Sequence, residues 1–415
     1  MATSGSYDYS LNRNEIIQEA LELIGVLDPT ETLSSEDAVS CSKSLNLMVK
    51  AWTKQDIGLW AKKELALFPS QYGYQYNIGP SSSHHCTASW VKTELASAAA
   101  AAATSIVVDS ITGFYNSYDR DGIMTAATPG GASSLTLNGA LVTNGIAYLT
   151  DQRKILIYSD ANDSGITFSV TGTDATGAAV TETITGPNTT SVYSTKTYAS
   201  VSAISVSGAG TGSIEIGQVG EHIGVERTSG VLQWTHAGAA VTTTTITLVT
   251  ALTTAAAVDN HVYTYNIKAQ RPTEILEARL INDDDTDTPL SILSRENYLN
   301  INDKRGSDVA GDPVQIYYDK QITNGILNVW PPSNDVKKYI KLTGKYMFDD
   351  LDSSTDDFDF PQEWLETLAW NLACRIAPKY GKKLDPVFIA EAKNMFKESK
   401  DFDIEMAPVF FGRKF

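Results

Sequence analysis

The composition of the chain changes abruptly near residue 80 and again near residue 271. Between 81 and about 260 it is rich in Thr, Ser, Ala, Gly and Val, with short alternating runs such as 165–170 and 201–206. Runs of this kind, bounded by Gly, Asn and Asp, are typical of β-strands. The parts near both termini carry helical periodicity instead. Helices at both ends with strands between them predict that the two termini share one helical body.

The helical pattern occupies four segments. Apolar residues recur there at spacings of three and four, and start or stop signals such as Ser34, Pro361 and Gly381 stand at their ends. Stripes of this composition indicate core packing rather than a cofactor site. The predicted helices are 12–25, 34–56, 361–377 and a last helix that starts near Asp385.

The strand-rich part predicts one domain inserted within another. Turn signals between 155 and 217 have nearly the spacing expected of a small immunoglobulin-like sandwich. Around it, 118–123 resembles the first half of a compact β unit whose second half resumes at 221 and runs to 265. Loop tips of a stable unit tolerate such insertions. The alanine run 98–103 is interpreted as flexible or strand-edge chain, because it leads into a β-branched strand.

Together these patterns predict a multi-domain α+β protein. An α-helical core carries a large β insertion, in which a small β unit holds a nested immunoglobulin-like sandwich. A chain of 415 residues is long enough for several domains. The predicted boundaries are 1–80 and 265–406 for the helical core, 81–128 and 219–264 for the small β unit, 129–218 for the nested sandwich, and 407–415 for a C-terminal tail.

The charge and cysteine content narrow the class of protein. The chain has 32 Lys and Arg against 49 Asp and Glu, a net charge of −17, which disfavours general nucleic-acid binding. Its 3 cysteines contain no CxxC pair, so we expect a reduced protein made inside the cell. The N-terminus lacks a standard export signal, and no apolar run is long enough to cross a bilayer. We therefore expect a soluble protein without a membrane partner.

Residues that carry enzyme chemistry are sparse. The motifs GxSxG, GxxxxGK[ST], HExxH and CxxC do not occur. His84, His85 and Cys86 offer adjacent metal ligands, but a polar loop is favoured because adjacent side chains rarely all reach one ion. The acidic run 283–287 lacks EF-hand spacing and is interpreted as a solvated turn. Glu363 and Glu366 fit an ordinary helix surface. From all these observations together, we predict no catalytic residue, no cofactor and no metal.

Two segments near the C-terminus are candidates for contacts with other proteins. The acidic set within 349–359 precedes the helix at Pro361, where negative charge suits a helix N-terminus, and pairing between subunits is the alternative. The tail 407–415 combines aromatic and basic residues, unlike a disordered composition. Aromatic and Arg anchors dominate protein interfaces. The tail is therefore interpreted as a docking peptide formed by Val409, Phe410, Phe411, Arg413, Lys414 and Phe415.

A succession of segments outside the insertion resembles a known family. In order they are 45–52 followed by 58–60, then 271–276, 290–298, 317–319 with Trp330 and Pro331, and 356–364 leading into 372–378. They resemble the head-to-tail adaptors of short-tailed bacteriophages, also called tail accessory factors or packaged-DNA stabilisation proteins. Each motif consists mostly of core and turn residues, but their succession is fairly specific. The resemblance covers about 12–78 and 265–415.

The resemblance implies a non-enzymatic structural protein of the virion, located at the head-to-tail junction and assembled in the host bacterial cytoplasm. In that family the helical body forms a homo-oligomeric ring, usually dodecameric, beneath the portal protein. Downstream tail or nozzle proteins bind the other face, and packaged DNA passes through without sequence-specific binding. Carried over by position, 34–56 and 361–377 form the subunit body and ring contacts, and 407–415 forms the portal-docking tail.

In such a ring, opposite charges predict contacts between neighbouring subunits. The acidic residues are Asp356 and Asp357, and their predicted partners on the next subunit are Lys379, Lys382 and Lys383.

The insertion, about 81–259, departs from the plainest members of the family. It resembles the β modules and immunoglobulin-like domains that decorate many phage structural proteins, which implies that it projects outward from the ring. The second hypothesis is a glycan-binding or cell-wall-acting phage tail protein that uses this insertion. The nested sandwich contains Tyr and Phe but no Trp between 133 and 217, which weakens a stacking site for sugars.

Overall fold

Helices form near both ends of the chain. The computed structural model describes residues 9–53, 59–305, 307–351, 353 and 360–403. Its α-helices are α1 (Arg13–Leu23), α2 (Ser35–Trp52), α3 (Arg295–Leu299), α4 (Leu365–Ile376) and α5 (Pro386–Phe402). All but α3 lie in one compact unit, Met1–Lys62 with Tyr346–Phe415, which we call the helical unit. Lys63–Lys345 forms a second unit, the strand unit.

Capping residues explain where the helices begin. Asn12 accepts a hydrogen bond from the Glu15 N–H at 3.1 Å, and the Glu15 carboxylate accepts one from the Asn12 N–H at 2.8 Å. This capping box starts α1. The Ser34 hydroxyl accepts from the Asp37 N–H at the start of α2, and Asp385 caps α5. α2 ends at Trp52, and the predicted extension to residue 56 lies outside the described residues.

The helical unit has one hydrophobic core that joins both ends of the chain. Ile17 of α1, Leu45 of α2 and Leu372 of α4 are fully buried in it. Aromatic rings in mutual contact lie within this core: Trp52, Trp60, Phe348, Phe360, Trp364 and Phe396. Because these rings come from segments almost 300 residues apart, the two terminal parts fold together.

Polar contacts hold residues 346–351 along α2. The Lys50 ammonium donates to the Phe348 carbonyl oxygen and pairs with the Asp350 carboxylate at 2.9 Å. Asn46 and Leu351 exchange two hydrogen bonds of 3.1 and 3.3 Å. The start of the C-terminal half of the helical unit is thereby fixed on α2.

The sheets are formed by strands β1 to β25. The first are β1 (Lys62–Leu67), β2 (Gln75–Ile78), β3 (Cys86–Thr87), β4 (Val91–Glu94), β5 (Ser105–Val107), β6 (Asp119–Ala127), β7 (Ser133–Ser134), β8 (Val142–Thr143), β9 (Ile146–Arg153), β10 (Ile155–Ser159), β11 (Thr167–Thr173), β12 (Ala179–Thr185) and β13 (Ser191–Tyr193). They continue with β14 (Tyr198–Val206), β15 (Ile214–Gln218), β16 (His222–Glu226), β17 (Leu232–His236), β18 (Thr245–Thr247), β19 (His261–Tyr265), β20 (Glu274–Ile281), β21 (Asp287–Pro289), β22 (Ser291–Ile292), β23 (Gln315–Asp319), β24 (Gly325–Trp330) and β25 (Tyr339–Lys345).

Two sheets, the base sheets, contain the strands at the beginning and end of the strand unit. One has the order β21-β20-β25-β1-β3 and the other the order β2-β24-β23-β22. β20 and β24 cover the runs 275–280 and 326–330, which the sequence predicts as strands, and β24 ends before Pro331. A strand at this position ends there because proline cannot donate to a neighbouring strand.

A small β unit is built from two separated parts of the chain, residues 91–118 and 220–265. One sheet has the order β17-β16-β19-β4, and β5 pairs with β18. Leu95 and Ile106 from the first part share a buried core with Ile223 and Val262 from the second. The alanine run 98–103 forms no helix and contributes an isolated bridge to residue 256. The two parts therefore fold as one body.

Residues 119–218 form two further sheets, the nested sheets, between the halves of the small β unit. Their orders are β13-β10-β15-β6 and β12-β11-β14-β9-β8, with β7 beside β14. Ile157 and Ile216 of the first sheet and Phe168 of the second are buried in one core. A Cβ at Gly217 would lie 1.9 Å from the Asp119 carbonyl oxygen, so β15 and β6 approach closely only with glycine there.

The protein is thus mixed α+β. The helical core of 1–80 with 265–406 stays a prediction; of these residues, 63–80 and 265–345 lie in the strand unit. The reason is that β1 and β25 lie in one base sheet, so hydrogen-bonded pairing groups them together. β6 pairs with β15, which places residues 119–127 in the nested sheets instead of the small β unit.

Candidate assembly surfaces

The three lysines predicted at subunit contacts lie on the exposed turn between α4 and α5, which we call the lysine turn. The Lys379 ammonium donates to the Ser40 carbonyl oxygen at 3.0 Å, and the Lys382 ammonium donates to the Gly25 carbonyl oxygen at 2.7 Å. Lys383 is exposed. This corner of the helical unit therefore presents three cationic groups, two of them oriented by backbone acceptors.

A hydrogen-bonded tyrosine fixes the lysine turn against α2. The Tyr380 hydroxyl donates to the Asp37 carboxylate at 2.6 Å and lies 3.4 Å from the Cys41 sulfur. The side chains of Ser34 and Tyr380 both donate hydrogen bonds to the Asp37 carboxylate, and these bonds hold its pKa below the ordinary value of 3.8. The bond from Ser34 makes the larger contribution. Within the turn, Gly381 adopts the left-handed conformation that favours glycine. Asp37 is charged at neutral pH, and its bond to Tyr380 keeps the lysine turn in place.

The remaining predicted contact residues lie outside the described residues. They are Asp356, Asp357, Val409, Phe410, Phe411, Arg413, Lys414 and Phe415. The structure brings the three lysines together on one turn, and their pairing with the two aspartates stays a prediction. The docking role of the tail also stays a prediction.

A groove of 680 Å³ lies between α1 and α4 in the helical unit, and we call it the acidic groove. Four apolar residues line it, namely Leu11, Leu365, Ala369 and Trp370. Four glutamates also line it, namely Glu15, Glu19, Glu22 and Glu366. Apolar surface beside carboxylates suits a ligand that carries both apolar and cationic groups.

The four glutamates of the acidic groove are not equally engaged. Glu15 accepts from the Asn12 N–H, and Glu22 accepts from the Gln18 amide at 3.0 Å. Within the described part of the chain, Glu19 and Glu366 have no hydrogen-bond or ion-pair partner. These two carboxylates are free to bind a cation from outside the helical bundle.

In the strand unit, the Arg153 side chain contacts three places where the chain enters or leaves the nested sheets or the small β unit. Arg153 ends β9 and is 0% exposed. Its guanidinium donates to the Gly220 carbonyl oxygen, to the Asn266 carbonyl oxygen at 2.5 Å, and to the Asn266 side-chain oxygen at 2.6 Å. It also lies 3.5 Å from the Ser117 hydroxyl. We call this arrangement the arginine junction.

Neighbouring polar residues complete the arginine junction. The buried Glu221 carboxylate accepts from the Ser117 N–H at 3.1 Å. Gln218 donates to the Ser117 carbonyl oxygen at 3.0 Å and to the Thr150 hydroxyl at 2.7 Å. Residue 117 precedes the nested sheets, and residues 218–221 follow them. Hydrogen bonds to buried groups therefore fix both connections, and neither connection behaves as a free linker.

Three histidines, which we call the histidine cluster, lie beside the arginine junction. His85, His222 and His236 line a cavity of 420 Å³ together with Lys268 and Trp234. The His85 ring stacks on Trp234 at 4.0 Å, and the His222 and His236 rings are 4.5 Å apart. His222 lies 3.2 Å from the Asp151 carboxylate, whereas the His236 Nε2 is buried without a hydrogen-bond partner. Burial, aided by nearby Arg and Lys charges, lowers the pKa of all three well below 6.5.

The residues weighed as metal ligands have separate partners. His84 accepts from the Asn77 N–H at 3.0 Å, and the His85 ring bonds to the Tyr265 hydroxyl at 2.6 Å. Cys86 is buried in β3, which raises the pKa of its thiol. Across the described residues, no group of three or more His, Cys, Asp or Glu is arranged to hold a metal ion. His84 and His85 lie in the loop before β3, and Cys86 is the first residue of that strand.

The acidic run 283–287 is a turn with ion pairs. Asp283 lies 3.0 Å from the His261 ring and 3.9 Å from the Lys337 ammonium. Asp284 accepts from the Thr286 N–H and hydroxyl, which closes the turn. The carboxylates therefore point to different local partners.

Sequence reasoning missed the residues that organise these surfaces. Glu15, Glu19 and Glu22 repeat at helical spacing on α1, a signal that was present in the sequence. Arg153 gave no such signal, since its partners Ser117 and Gly220 lie 36 and 67 residues away. Only the fold brings them together.

Residues 224–405 match the family model described as SU10 adaptor protein. No curated protein matches the chain. The match confirms the resemblance to the phage head-to-tail adaptors over this part of the chain.

The matched range has a clear position in the fold. It starts within β16 of the small β unit, continues through β17 to β25, and includes α4 and α5. The nested sheets and the N-terminal helices α1 and α2 lie outside it. The matched family is one of structural phage proteins. In the part of the chain that the structure describes, no helix combines the length and apolar character of a membrane span.

Proposed function

We propose that the chain is the head-to-tail connector subunit of a short-tailed phage. Subunits form a ring, usually of twelve in this family, that binds the portal protein, helps to retain packaged DNA and carries the later tail proteins. The family match over residues 224–405 is the observation that carries this proposal. The net charge of −17 supports it, because an acidic channel resists stable contacts with passing DNA.

The helical unit is the proposed body of the ring subunit. A ring needs two different surfaces on each subunit, one facing each neighbour. The lysine turn supplies one charged surface, and Asp356 with Asp357 supplies the proposed opposite surface. The tail 407–415 is the proposed contact with the portal, through its Phe, Arg and Lys side chains.

The insertion is proposed to project from this ring as a small β unit carrying an immunoglobulin-like domain. Support comes from the two nested sheets that share one core, and from the arginine junction that holds their root. A root held by buried hydrogen bonds fixes the direction in which the domain points.

The double replacement Asp356→Asn and Asp357→Asn tests the ring contacts. At low salt we expect ring stability to fall by about 0.5–1 kcal/mol per subunit interface, because exposed ion pairs contribute about that much. High salt screens such pairs, so the difference should disappear there. The measurement is the ring fraction against protein concentration at two salt concentrations.

A matched control is Asp312→Asn, which removes an exposed pair with Lys338 in the strand unit, 2.7 Å apart. It should leave the ring fraction unchanged. Equal ring stability of the double variant and the unchanged protein at low salt would exclude the proposed pairs.

A further inference from the structure

We propose that the acidic groove binds the C-terminal segment 404–415 of the same subunit before assembly. The groove has a volume of 680 Å³ and is part of the helical unit, to which the segment also belongs. The inference comes from the chemistry of the groove and from the place where α5 ends. It does not depend on the proposed portal contact.

The first support is chemical complementarity. Residues 409–415 of the segment carry four large apolar side chains, Val409, Phe410, Phe411 and Phe415, with Arg413 and Lys414 among them. The groove offers the apolar side chains of Leu11, Leu365, Ala369 and Trp370 to the first set. Glu19 and Glu366, which have no partner in the described residues, suit the two cations.

The second support is the position of the α5 terminus. α5 runs antiparallel to α4, because Ser399 meets Thr367 at 2.8 Å and Ala392 meets Asn371 at 3.0 Å. Four residues beyond Ser399 advance about 6 Å along the helix axis. Asp403, the last described residue, therefore lies near the level of the N-terminal end of α4.

That end of α4 also lines the acidic groove, through Gln362, Leu365 and Glu366. A segment of twelve residues spans up to about 40 Å when extended, so it can reach the groove from Asp403. Tethering raises the effective concentration of such a segment to roughly millimolar, so weak contacts are enough to hold it in place.

Docking in the groove has a consequence for assembly that rests on the proposed function. The portal contact would use the same Phe, Arg and Lys side chains, so one tail occupies either the groove or the portal. In a free subunit, the groove would cover the apolar side chains of the tail. The portal would then have to displace the tail from the groove. This competition favours assembly on the portal over aggregation in solution.

Photo-crosslinking in the full chain tests the inference. Phe411 is replaced by p-benzoylphenylalanine, the purified monomer is irradiated, and the crosslinked peptides are identified by mass spectrometry. We expect an adduct of monomer mass that joins residue 411 to residues 9–22 or 362–370. Failure of portal binding would not alter this result, since no portal is present.

Charge variants make the test specific. Glu19→Gln with Glu366→Gln should lower the crosslink yield roughly 3- to 10-fold at low salt, as expected for two exposed charge pairs. The control Glu391→Gln lies on the exposed surface of α5 outside the groove, and should leave the yield unchanged. An adduct of dimer mass, an adduct elsewhere, or a yield that ignores the groove glutamates would overturn the inference.

Discussion

Replacing Arg153 by methionine is expected to release the nested sheets from the rest of the strand unit. Methionine keeps much of the volume but removes every hydrogen bond to Gly220 and Asn266. It also leaves the buried Glu221 without its nearby cation. Breaking a buried charge network by removing one partner costs about 3–5 kcal/mol.

Hydrogen exchange measures this release directly, since it reports local opening at individual segments. In Arg153→Met, amides in 115–120 and 217–222 should exchange roughly 100- to 4000-fold faster than in the unchanged protein, because each 1.4 kcal/mol is a factor of ten. The helical unit has its own core and should be unaffected.

The matched control is Arg120→Met, in the same pair of sheets. The Arg120 side chain is 46% exposed and pairs with the Glu215 carboxylate, whose side chain is 17% exposed, while its guanidinium lies over the Tyr158 ring. Because solvent reaches Arg120, its loss should cost less than the loss of the fully buried Arg153. Unchanged exchange in Arg153→Met would show that the arginine junction does not hold the nested sheets.

Acidification is expected to loosen the small β unit through the histidine cluster. Above pH 6.5, the ordinary histidine pKa, the three rings are neutral in both folded and unfolded chains. Below that pH the unfolded chain binds protons that the folded chain does not, so the free energy of unfolding falls as the pH falls. Each histidine contributes up to about 1.4 kcal/mol per pH unit, and the three together about 4 kcal/mol at the steepest.

His236→Phe separates this effect from general acid sensitivity. His236 has no hydrogen-bond partner at Nε2, whereas protonated His222 would have the Asp151 carboxylate beside it. The variant should match the unchanged protein at pH 7.5 and lose roughly a third of the acid slope between pH 6.5 and 5.5. Protection factors of the β16 and β17 amides at both pH values provide the measurement.

His261→Phe is the control for that variant. Burial lowers the pKa of His261, but Asp283 at 3.0 Å and Glu94 at 3.5 Å from its ring oppose part of that shift. Its removal should change the acid slope less than the removal of His236. Protection that stays constant from pH 7.5 to 5.5 would rule out the histidine cluster as an acid-sensitive element.

Local signals predicted the helices well. Asn12, Ser34 and Asp385 cap helices where their sequence neighbours suggest, because capping depends on residues two or three apart. The α4 helix begins at Leu365, after a 3₁₀ turn, and not directly at Pro361. That turn places Trp364 in the aromatic core. The local sequence pattern does not predict this turn, because it depends on packing against distant residues.

The division into units was harder to predict, because sheets join distant segments. The pairing that puts β1 and β25 in one sheet moves 63–80 and 265–345 into the strand unit, although the helical pattern outside them suggested one continuous core. The arginine junction could not be predicted from the sequence, because its residues also come from distant segments. The lysine turn, by contrast, lies within five consecutive residues and could be read from the sequence.

The most direct test of the connector proposal is the native mass of the purified chain, alone and mixed with the portal ring of the same virus. A variant that ends at Met406 is the control for the tail. We predict a monomer in solution that forms a ring on the portal, and no ring from the shortened variant. A chain that stays monomeric with the portal would contradict the proposal, and binding of cell-wall material by the same monomer would favour the glycan-binding alternative.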